Sequence, residues 1–365
     1  MTGAAVSGVP VSGGRVGNGF VLIMVLAILV ILSLLASTVA VISQRLREEQ
    51  LQRQRQLQAQ IDMASTRATV LYLLASQRMT FGGVTVDERV VLSADERVSQ
   101  RGEDELISLM PVGNELALEG SPYSGLGDIA FALQDDRGLL GINWTSPAML
   151  QGLVAQAEGD SPAVATLQNL LLDYQDADDL YRLNSAEREQ YQSEGRAPPS
   201  NRVLATPMEL RRVIGWDDAL GFLDDAALSD TVTVSRNPRI NVNTAPLTVL
   251  QALPGVDEAM AQRVVDYRKL QPFVNLTSFY QLLGTIPADD ELLSLYPSQS
   301  GTLKLWSPLG GTVQVLHWTL TPYDDGGRPW REDYEFTLPQ DGTSAAAPAR
   351  TPEAEVFAEP AAQAQ

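Results

Sequence analysis

The chain has 365 residues, of which 44% are hydrophobic, so it is long enough to bury the cores of about two domains. It has no cysteine, which excludes disulfides and thiolate metal sites, and its formal net charge of −19 disfavours binding to phosphate backbones. The chain has a single histidine, His317, in an alternating strand-like pattern, which almost entirely removes the usual Ser-His-Asp and Cys-His catalytic arrangements. Together these features favour a non-catalytic protein over an enzyme.

The first predicted element is a membrane-spanning helix over residues 20–42. Phe20 to Ile42 form an uncharged run of 23 residues, which as a helix would span about 34 Å, at ~1.5 Å per residue. A removed secretory signal is the alternative, but such signals normally have a shorter apolar region. One arginine precedes the run and four follow it closely, so a count of positive charges alone favours a cytoplasmic C-terminal side.

The helix is predicted to continue over residues 43–80, because neither Gly nor Pro occurs between Phe20 and Phe81. An apolar stripe recurs at three- and four-residue steps along this continuation. Such a stripe is typical of a stalk, of a coiled coil or of a helix packed on a sheet. The stripe consists of Leu57, Ile61, Ala64, Ala68 and Leu71.

Strand-like segments stand on both sides of a long helical block. Before the block they are Val84–Leu92 and Asp128–Gln134, with Gly102–Gly127 interpreted as a loop between them. After it they are Thr302–Trp306, Thr312–Thr321 and Asp333–Leu338. This order predicts a helical domain inserted into a sheet domain. The expected boundaries are 81–140 for the first part of the sheet domain, 141–298 for the insertion, 299–340 for the second part, and 341–365 for a disordered tail rich in Ala and Pro.

The helical block contains an internal repeat. INWTSPAMLQGL, from Ile142 to Leu153, is similar to INVNTAPLTVLQAL, from Ile240 to Leu253, with one residue inserted. Each copy has polar residues, then Pro in the first helical turn, then an apolar face. Residues 205–216 and 274–284 repeat parts of the design. We expect an all-α insertion built from modules of the helix-hairpin-helix or SAM-like kind.

The residues before the apolar run resemble a type IV prepilin signal. A short polar leader over residues 1–19 carries Arg15 and ends in Gly19, directly before Phe20. The resemblance implies that a prepilin peptidase cuts after Gly19 and leaves Phe20 as an N-methylated terminus. Most pilins carry Glu at the fifth mature position, where this chain has Met24. A Glu there compensates the amine of a neighbouring subunit in low dielectric, so its replacement by Met marks a subunit at a filament tip.

Several stretches of the exterior region resemble the K-type minor pseudopilins of type II secretion systems. They are LQDDRGLLGINW, LLDYQDADDLYR and NVNTAPLTVLQALPGVDEAMAQRVVDYR, in this order. The implied fold class is α+β: a type IV pilin-like fold with a long N-terminal transmembrane helix and an antiparallel sheet that carries the helical insertion.

The same resemblance implies a non-catalytic subunit at the tip of the pseudopilus, which initiates or caps assembly for protein export. The implied partners are the I- and J-type minor pseudopilins, other pseudopilins, the prepilin peptidase and the membrane, but not nucleic acid. The implied location is the bacterial inner membrane, crossed once, with the C-terminal domain in the periplasm. This orientation is opposite to the one that the count of positive charges favours.

Two alternative functions remain open. One is a minor pilin of a type IV pilus. The other is a membrane-anchored DNA receptor of the competence type, because residues 240–268 also resemble a DNA-binding helix-hairpin-helix. Such hairpins bind phosphate through backbone N–H groups at a Gly-rich turn. Here the turn Leu253–Val256 is followed by Asp257 and Glu258, whose carboxylates would oppose phosphate.

An acidic segment after the first copy of the repeat is a candidate calcium site. Asp173, Asp176, Asp178 and Asp179 crowd into one turn after an apolar helix end. Crowded carboxylates repel one another unless they are solvated, protonated or bridged by a cation, and calcium prefers several hard oxygen ligands. The spacing is not that of an EF-hand, so the support comes from the family resemblance, with a solvated acidic turn as the alternative. Glu187 and Glu189 are possible substitute ligands.

Overall fold

The computed structural model describes residues 18–86, 109–157, 163–285, 290–308, 310–322 and 327–340, together with Arg350, Pro352 and Phe357. Its helices are α1 Asn18–Ser76, α2 Pro147–Val154, α3 Val164–Gln175, α4 Arg188–Ser193, α5 Trp216–Ala219, α6 Asp225–Ser229, α7 Leu247–Gln251, α8 Glu258–Leu270 and α9 Leu276–Leu283. Its strands are β1 Met79–Thr80, β2 Gly83–Thr85, β3 Glu115–Leu116, β4 Glu119–Ser124, β5 Ala130–Asp135, β6 Leu140–Gly141, β7 Val232–Thr233, β8 Ile240–Asn241, β9 Leu293–Ser294, β10 Ser300–Trp306, β11 Thr312–Leu320 and β12 Trp330–Pro339.

The long helix α1 belongs to two compact units, which divide between Gln58 and Ala59. Within the second unit, its buried face is formed by Thr66, Val70, Leu73 and Leu74, which pack on the sheet. This face differs from the predicted stripe, of which only Leu71 is buried. The observed face carries more branched side chains in the last turns and therefore buries more apolar area. The other four residues of the predicted stripe, Leu57, Ile61, Ala64 and Ala68, are exposed.

The main sheet has five antiparallel strands in the order β12-β11-β10-β5-β4. Strands β5 and β10 are direct neighbours, with Gly301 paired to Asp135, although the whole helical block lies between them in the sequence. One face of the sheet forms a core with the end of α1, and Phe131, Leu303 and Trp318 are fully buried in it. The predicted layout of a pilin-like helix and antiparallel sheet with an inserted domain is confirmed.

The structure before the insertion differs in part from the loop and the strand that the sequence predicts there. The loop expected at Gly102–Gly127 contains the strand β4, which lies at the edge of the five-stranded sheet, next to β5. Pro122 and Gly120 give this segment the composition of a loop, but an edge strand tolerates proline. The strand expected at Val84–Leu92 is observed only in part, as β2, which pairs with β1 and β3; residues 87–92 lie outside the described residues.

The insertion consists of two modules, which we define as Leu140–Val234 and Ile240–Leu295. Each module contains one short parallel strand pair, β6 with β7 and β8 with β9, so the insertion is not all-α as predicted. Strands of two residues are too short to show the alternation by which strands are detected in a sequence. Both modules share one apolar core, in which Leu150, Trp216 and Phe279 are buried.

One asparagine holds each module together in the same way. Asn143 Nδ2 donates to the carbonyls of Leu204 and Val234 at 3.2 and 3.0 Å, and its Oδ1 accepts from the N–H of Leu204 at 3.2 Å. In the second module, Asn243 repeats this pattern: Nδ2 donates to two carbonyls at 2.9 and 3.0 Å, and Oδ1 accepts an N–H at 2.8 Å. The partners of Asn243 are Phe273 and Leu295. The internal repeat of the sequence is therefore a repeat of structure.

The tail predicted to be disordered, 341–365, lies mostly outside the described residues. Two of its residues differ from that prediction. Arg350 pairs with Tyr123 in β4, and Phe357 is buried with its ring stacked on Phe131 at a centroid distance of 5.4 Å. Burial of one aromatic ring contributes about 2 kcal/mol, which fixes these positions against a composition typical of disorder.

Candidate functional site

The acidic segment begins where α3 ends. Asp173 lies in the last turn of α3 and is completely buried, while Asp176 caps the end of the helix. The chain then turns back, so that the backbone N–H of Arg182 donates to Asp173 Oδ2 at 2.9 Å. The Nη1 atom of Arg182 pairs with Asp173 Oδ1 and with Asp176 Oδ2, the second contact at 2.5 Å. Arg182 thus closes a loop around two carboxylates.

Glu187 supplies a third carboxylate to the same place. It is the N-cap residue of α4, and one of its oxygens lies within 4.8 Å of oxygens of Asp173 and Asp176. Glu187 is 2% exposed, and its Oε1 atom is buried and accepts no hydrogen bond. Burial, followed by the charges of Asp173 and Asp176, raises the pKa of Glu187 to about 7. We call Asp173, Asp176 and Glu187 the acidic cluster.

The acidic cluster contains two of the four predicted ligands, Asp173 and Asp176. Asp178 accepts a hydrogen bond from the N–H of Leu180 at 2.9 Å and lies outside the acidic cluster. Asp179 is exposed and lies 3.9 Å from Arg188. Helix α3 ends at Gln175, so the residues after Asp176 follow the turning chain and do not continue the helical face. Glu187 was considered only as a substitute, since it stands 14 residues beyond Asp173 and enters through the start of α4.

The acidic cluster has the donor chemistry that calcium requires. Its three carboxylates supply hard oxygen atoms, and two of these, Glu187 Oε1 and Asp176 Oδ1, are buried without a hydrogen-bond partner. Unpaired buried oxygens are costly, and a cation that coordinates several oxygens at once would satisfy them. Arg182 neutralises only one of the three negative charges. The residues therefore fit calcium better than they fit the guanidinium alone.

The predicted processing site lies at the start of α1. The helix includes Gly19 and Phe20, and residues 1–17 lie outside the described residues. The apolar run is exposed along its whole length, with Phe20 76% and Met24 56% exposed. Its mean hydropathy reaches 3.1, and α1 is long and apolar enough to cross a membrane. Cleavage after Gly19 and methylation of Phe20 stay predictions.

A second buried charge cluster was not predicted from the sequence. His317 Nε2 lies 2.8 Å from Asp136 Oδ2, and His317 Nδ1 lies 2.9 Å from Asp333 Oδ2. Burial disfavours the charged imidazole, but the charge of Asp136 and hydrogen bonds to both aspartates raise the pKa of His317 to about 9. Ser235 Oγ is 3.3 Å from Nε2, yet an imidazole held protonated by Asp136 cannot take a proton from serine. The cluster is a structural one.

Asp135 and Asp136 attach the insertion to the sheet, one to each module. Asp136 accepts from Thr233 Oγ1 of the first module at 3.0 Å. Asp135 accepts from Thr244 Oγ1 and Asn241 Nδ2 of the second module at 2.8 and 3.1 Å. In the sequence, both residues are typical of an exposed turn, and nothing in the local pattern signals that the turn is buried.

The N-terminus of α8, which follows the turn of the helical hairpin, is capped by the side chain of Asp257. Gly255 has a φ of +81°, a conformation that favours glycine, and it turns the chain between α7 and α8. Asp257 is the N-cap of α8, and its Oδ1 accepts from the N–H of Met260 at 2.8 Å. This carboxylate occupies the helix N-terminus at which a phosphate group would bind.

Comparisons with known proteins agree with this architecture. Two models described as "Type II secretion system (T2SS), protein K" match the chain, one over residues 133–223 and one over residues 240–295. A chain of the crystal structure of the GspK-GspI-GspJ complex from the enterotoxigenic Escherichia coli type 2 secretion system is similar at 18% identity. The match covers 79% of this chain and 98% of that chain, with a TM-score of 0.45. No curated protein matches significantly. The two matched regions overlap the two modules in order, and the chain belongs to the type II secretion system protein K family, whose members are minor pseudopilins.

Proposed function

We propose that the protein acts at the tip of the pseudopilus, where it initiates or caps assembly. Its membership of the protein K family supports a structural role in protein secretion. The observation that carries the tip position is Met24, an apolar residue at the fifth position after Gly19. A subunit with another subunit packed above it needs a carboxylate there to pair with the incoming amine, and a tip subunit does not.

The exposed apolar stripe of α1 supports contact with neighbouring subunits. Leu57 is 58% and Ile61 50% exposed, and neither belongs to the apolar core that α1 forms with the sheet. An apolar face at helical spacing is suited to packing against another helix. We propose that this stripe packs on the helices of the I- and J-type minor pseudopilins and that the domain after the membrane span is periplasmic.

Crosslinking can test these contacts, because the chain has no cysteine that would give background. Cysteine at Ile61 should crosslink to an I- or J-type subunit that carries cysteine on its own first helix. Cysteine at Leu73, which is buried against the sheet, is the matched control and should not crosslink. Crosslinking mainly to the major pseudopilin would contradict the proposed partners.

The tip position itself is tested by Met24→Glu, with Met24→Leu as control. We expect the glutamate to gain nothing and to impair assembly, since no subunit above supplies a matching amine. Immunogold labelling of sheared pseudopili should find both the wild type and the Met24→Leu protein at filament ends. Labelling of Met24→Glu along the shaft would defeat the capping role.

Processing is tested separately. Mass spectrometry of membrane-extracted protein should find a peptide that starts at methylated Phe20. An intact Met1 terminus, or one near Ser43, would contradict processing by a prepilin peptidase.

The DNA-receptor alternative is disfavoured by Asp257, which already caps the hairpin helix. We expect no mobility shift of DNA by the detergent-solubilised chain, even at low salt. Binding that weakened steeply with added salt and was lost on Gly255→Val would promote this alternative. A role in a type IV pilus would be promoted if deletion of the gene abolished pili and left secretion intact.

We further propose that the acidic cluster binds calcium. Asp173, Asp176 and Glu187 would hold the ion, and calcium when bound would join the end of α3 to the start of α4. Because binding to the folded state alone raises stability, calcium should raise the melting temperature and a chelator should reverse the effect. An unchanged melting temperature, with no ion at the cluster in a calcium-soaked crystal, would remove the site.

A further inference from the structure

Arg182 is bound to the acidic cluster more tightly than an ordinary surface arginine. Its backbone N–H and its guanidinium both contact Asp173, a fully buried residue, and the guanidinium also contacts Asp176. The side chain of Arg182 is 38% exposed, so the charged group reaches inward from the edge of the site. The arginine therefore places a positive charge among the carboxylates that calcium would use.

A single guanidinium leaves the cluster incompletely satisfied. The buried atoms Glu187 Oε1 and Asp176 Oδ1 have no hydrogen-bond partner. Glu187 is the N-cap of a different helix from that of Asp173, and one of its oxygens lies within 4.8 Å of oxygens of the other two carboxylates. This buried, unpaired group indicates a ligand with higher charge and more coordination positions than Arg182 provides.

Arg182 and calcium would share two carboxylates. Asp173 Oδ1 and Asp176 Oδ2 are the acceptors of Arg182, and both residues belong to the acidic cluster. Two cations bound to the same two carboxylates would repel each other strongly in a partly buried site. We propose that Arg182 is a tethered cation that competes with calcium for Asp173 and Asp176, so that the loop stays closed without the metal and the metal displaces the arginine. This inference rests on the proposed calcium site.

The displacement has a consequence for the peptide bond after Arg182. Trypsin recognises a free arginine side chain, and Arg182 is followed by Leu183, which is 80% exposed. With the guanidinium paired to the cluster, cleavage at this bond is slow. With calcium bound, the arginine is released and the bond becomes a better substrate.

The test measures calcium affinity and cleavage on the detergent-solubilised full chain. Arg182→Gln should raise the calcium affinity at least tenfold, measured by calorimetry and by melting temperature across a calcium series. Arg188→Gln is the matched control, since Arg188 is exposed and lies 3.9 Å from Asp179, which is outside the acidic cluster. The calcium affinity of Arg188→Gln should stay within twofold of that of the wild type. In the wild type, calcium should accelerate tryptic cleavage after Arg182, as identified by mass spectrometry.

The outcomes separate this inference from the site on which it rests. Equal calcium affinity of the wild type and Arg182→Gln would overturn the competition and leave the calcium site standing. No calcium binding by either protein would overturn both. If Arg182→Gln does not fold without calcium, Arg182→Lys takes its place in the test, because it keeps the positive charge but cannot make the planar contacts of a guanidinium. A calcium affinity above that of the wild type would support the competition, and an unchanged calcium affinity would overturn it.

Discussion

The two modules of the insertion share a scaffold and differ in what lies within it. In each, a short parallel strand pair and one asparagine join three separate stretches of chain. The segment that the asparagine spans is 61 residues long from Asn143 to Leu204, but only 30 residues long from Asn243 to Phe273. The additional chain of the first module contains the whole acidic cluster. The repeat therefore supplies architecture, and the candidate metal site belongs to the part that is not repeated.

The largest expected effect concerns the way in which each module is attached to the sheet. Asp136→Asn removes a charge that pairs with buried His317, whereas Asp135→Asn removes a charge that has no ion pair among the described residues. Breaking a buried pair should cost about 3 kcal/mol, since Asp333 remains as a second partner. Asp135→Asn should cost less, because burial already raises the pKa of that carboxyl. Chemical denaturation measures both, and equal costs would contradict the distinction.

The ion pair between Asp136 and His317 predicts that the free energy of unfolding depends on pH. The pKa of His317 is raised from 6.5 to about 9, so its contribution to stability is fully present below pH 6.5 and is lost as pH rises through 9. The wild type should therefore lose unfolding free energy between pH 7 and 10. His317→Gln should be less stable at pH 7 and should show a flatter profile. Parallel profiles of the two proteins would show that another group titrates.

The structural equivalence of the modules is tested by the two asparagines. Asn243→Ala leaves a buried N–H and two carbonyls without partners and should cost about 2–3 kcal/mol. Asn143 is half-buried, so water can replace part of its bonding, and Asn143→Ala should cost about 1–2 kcal/mol. Both values come from denaturant midpoints. A negligible effect at one site only would mean that the modules are held together differently.

The last comparison separates the acidic cluster from its neighbours, and its two control variants have the smallest expected effects. Glu187→Gln should abolish the calcium-dependent stabilisation, which is about 2.7 kcal/mol at a free concentration one hundred times Kd. Asp178→Asn and Asp179→Asn should change neither that stabilisation nor the stability without calcium by more than about 0.5 kcal/mol. Loss of the calcium effect in either of these two controls would restore the original ligand set.

A part of the structure could be predicted from the sequence where the residues that determine it are close together in the chain. Strands β10, β11 and β12 and the start of α2, where Ser146 caps the helix before Pro147, depend on neighbouring residues, so periodicity and capping patterns located them. The buried side of α1 could not be predicted from the sequence, because several faces of that helix carry apolar residues and only the packing on the sheet selects one. Glu187 joins Asp173, and His317 joins Asp136, through contacts between distant parts of the chain. No local pattern contains that information.

The adjacency of β5 and β10 has a consequence for the order of folding. About 160 residues separate the two strands, and closing a flexible loop of that length costs about 4–5 kcal/mol of chain entropy. A folded insertion lowers this cost, because Asp135 binds Ser298, Thr244 and Asn241 and so holds the entry beside the exit. During synthesis, β5 emerges long before β10. The insertion is therefore expected to fold first and to hold the end of β5 close to the position at which β10 pairs with it.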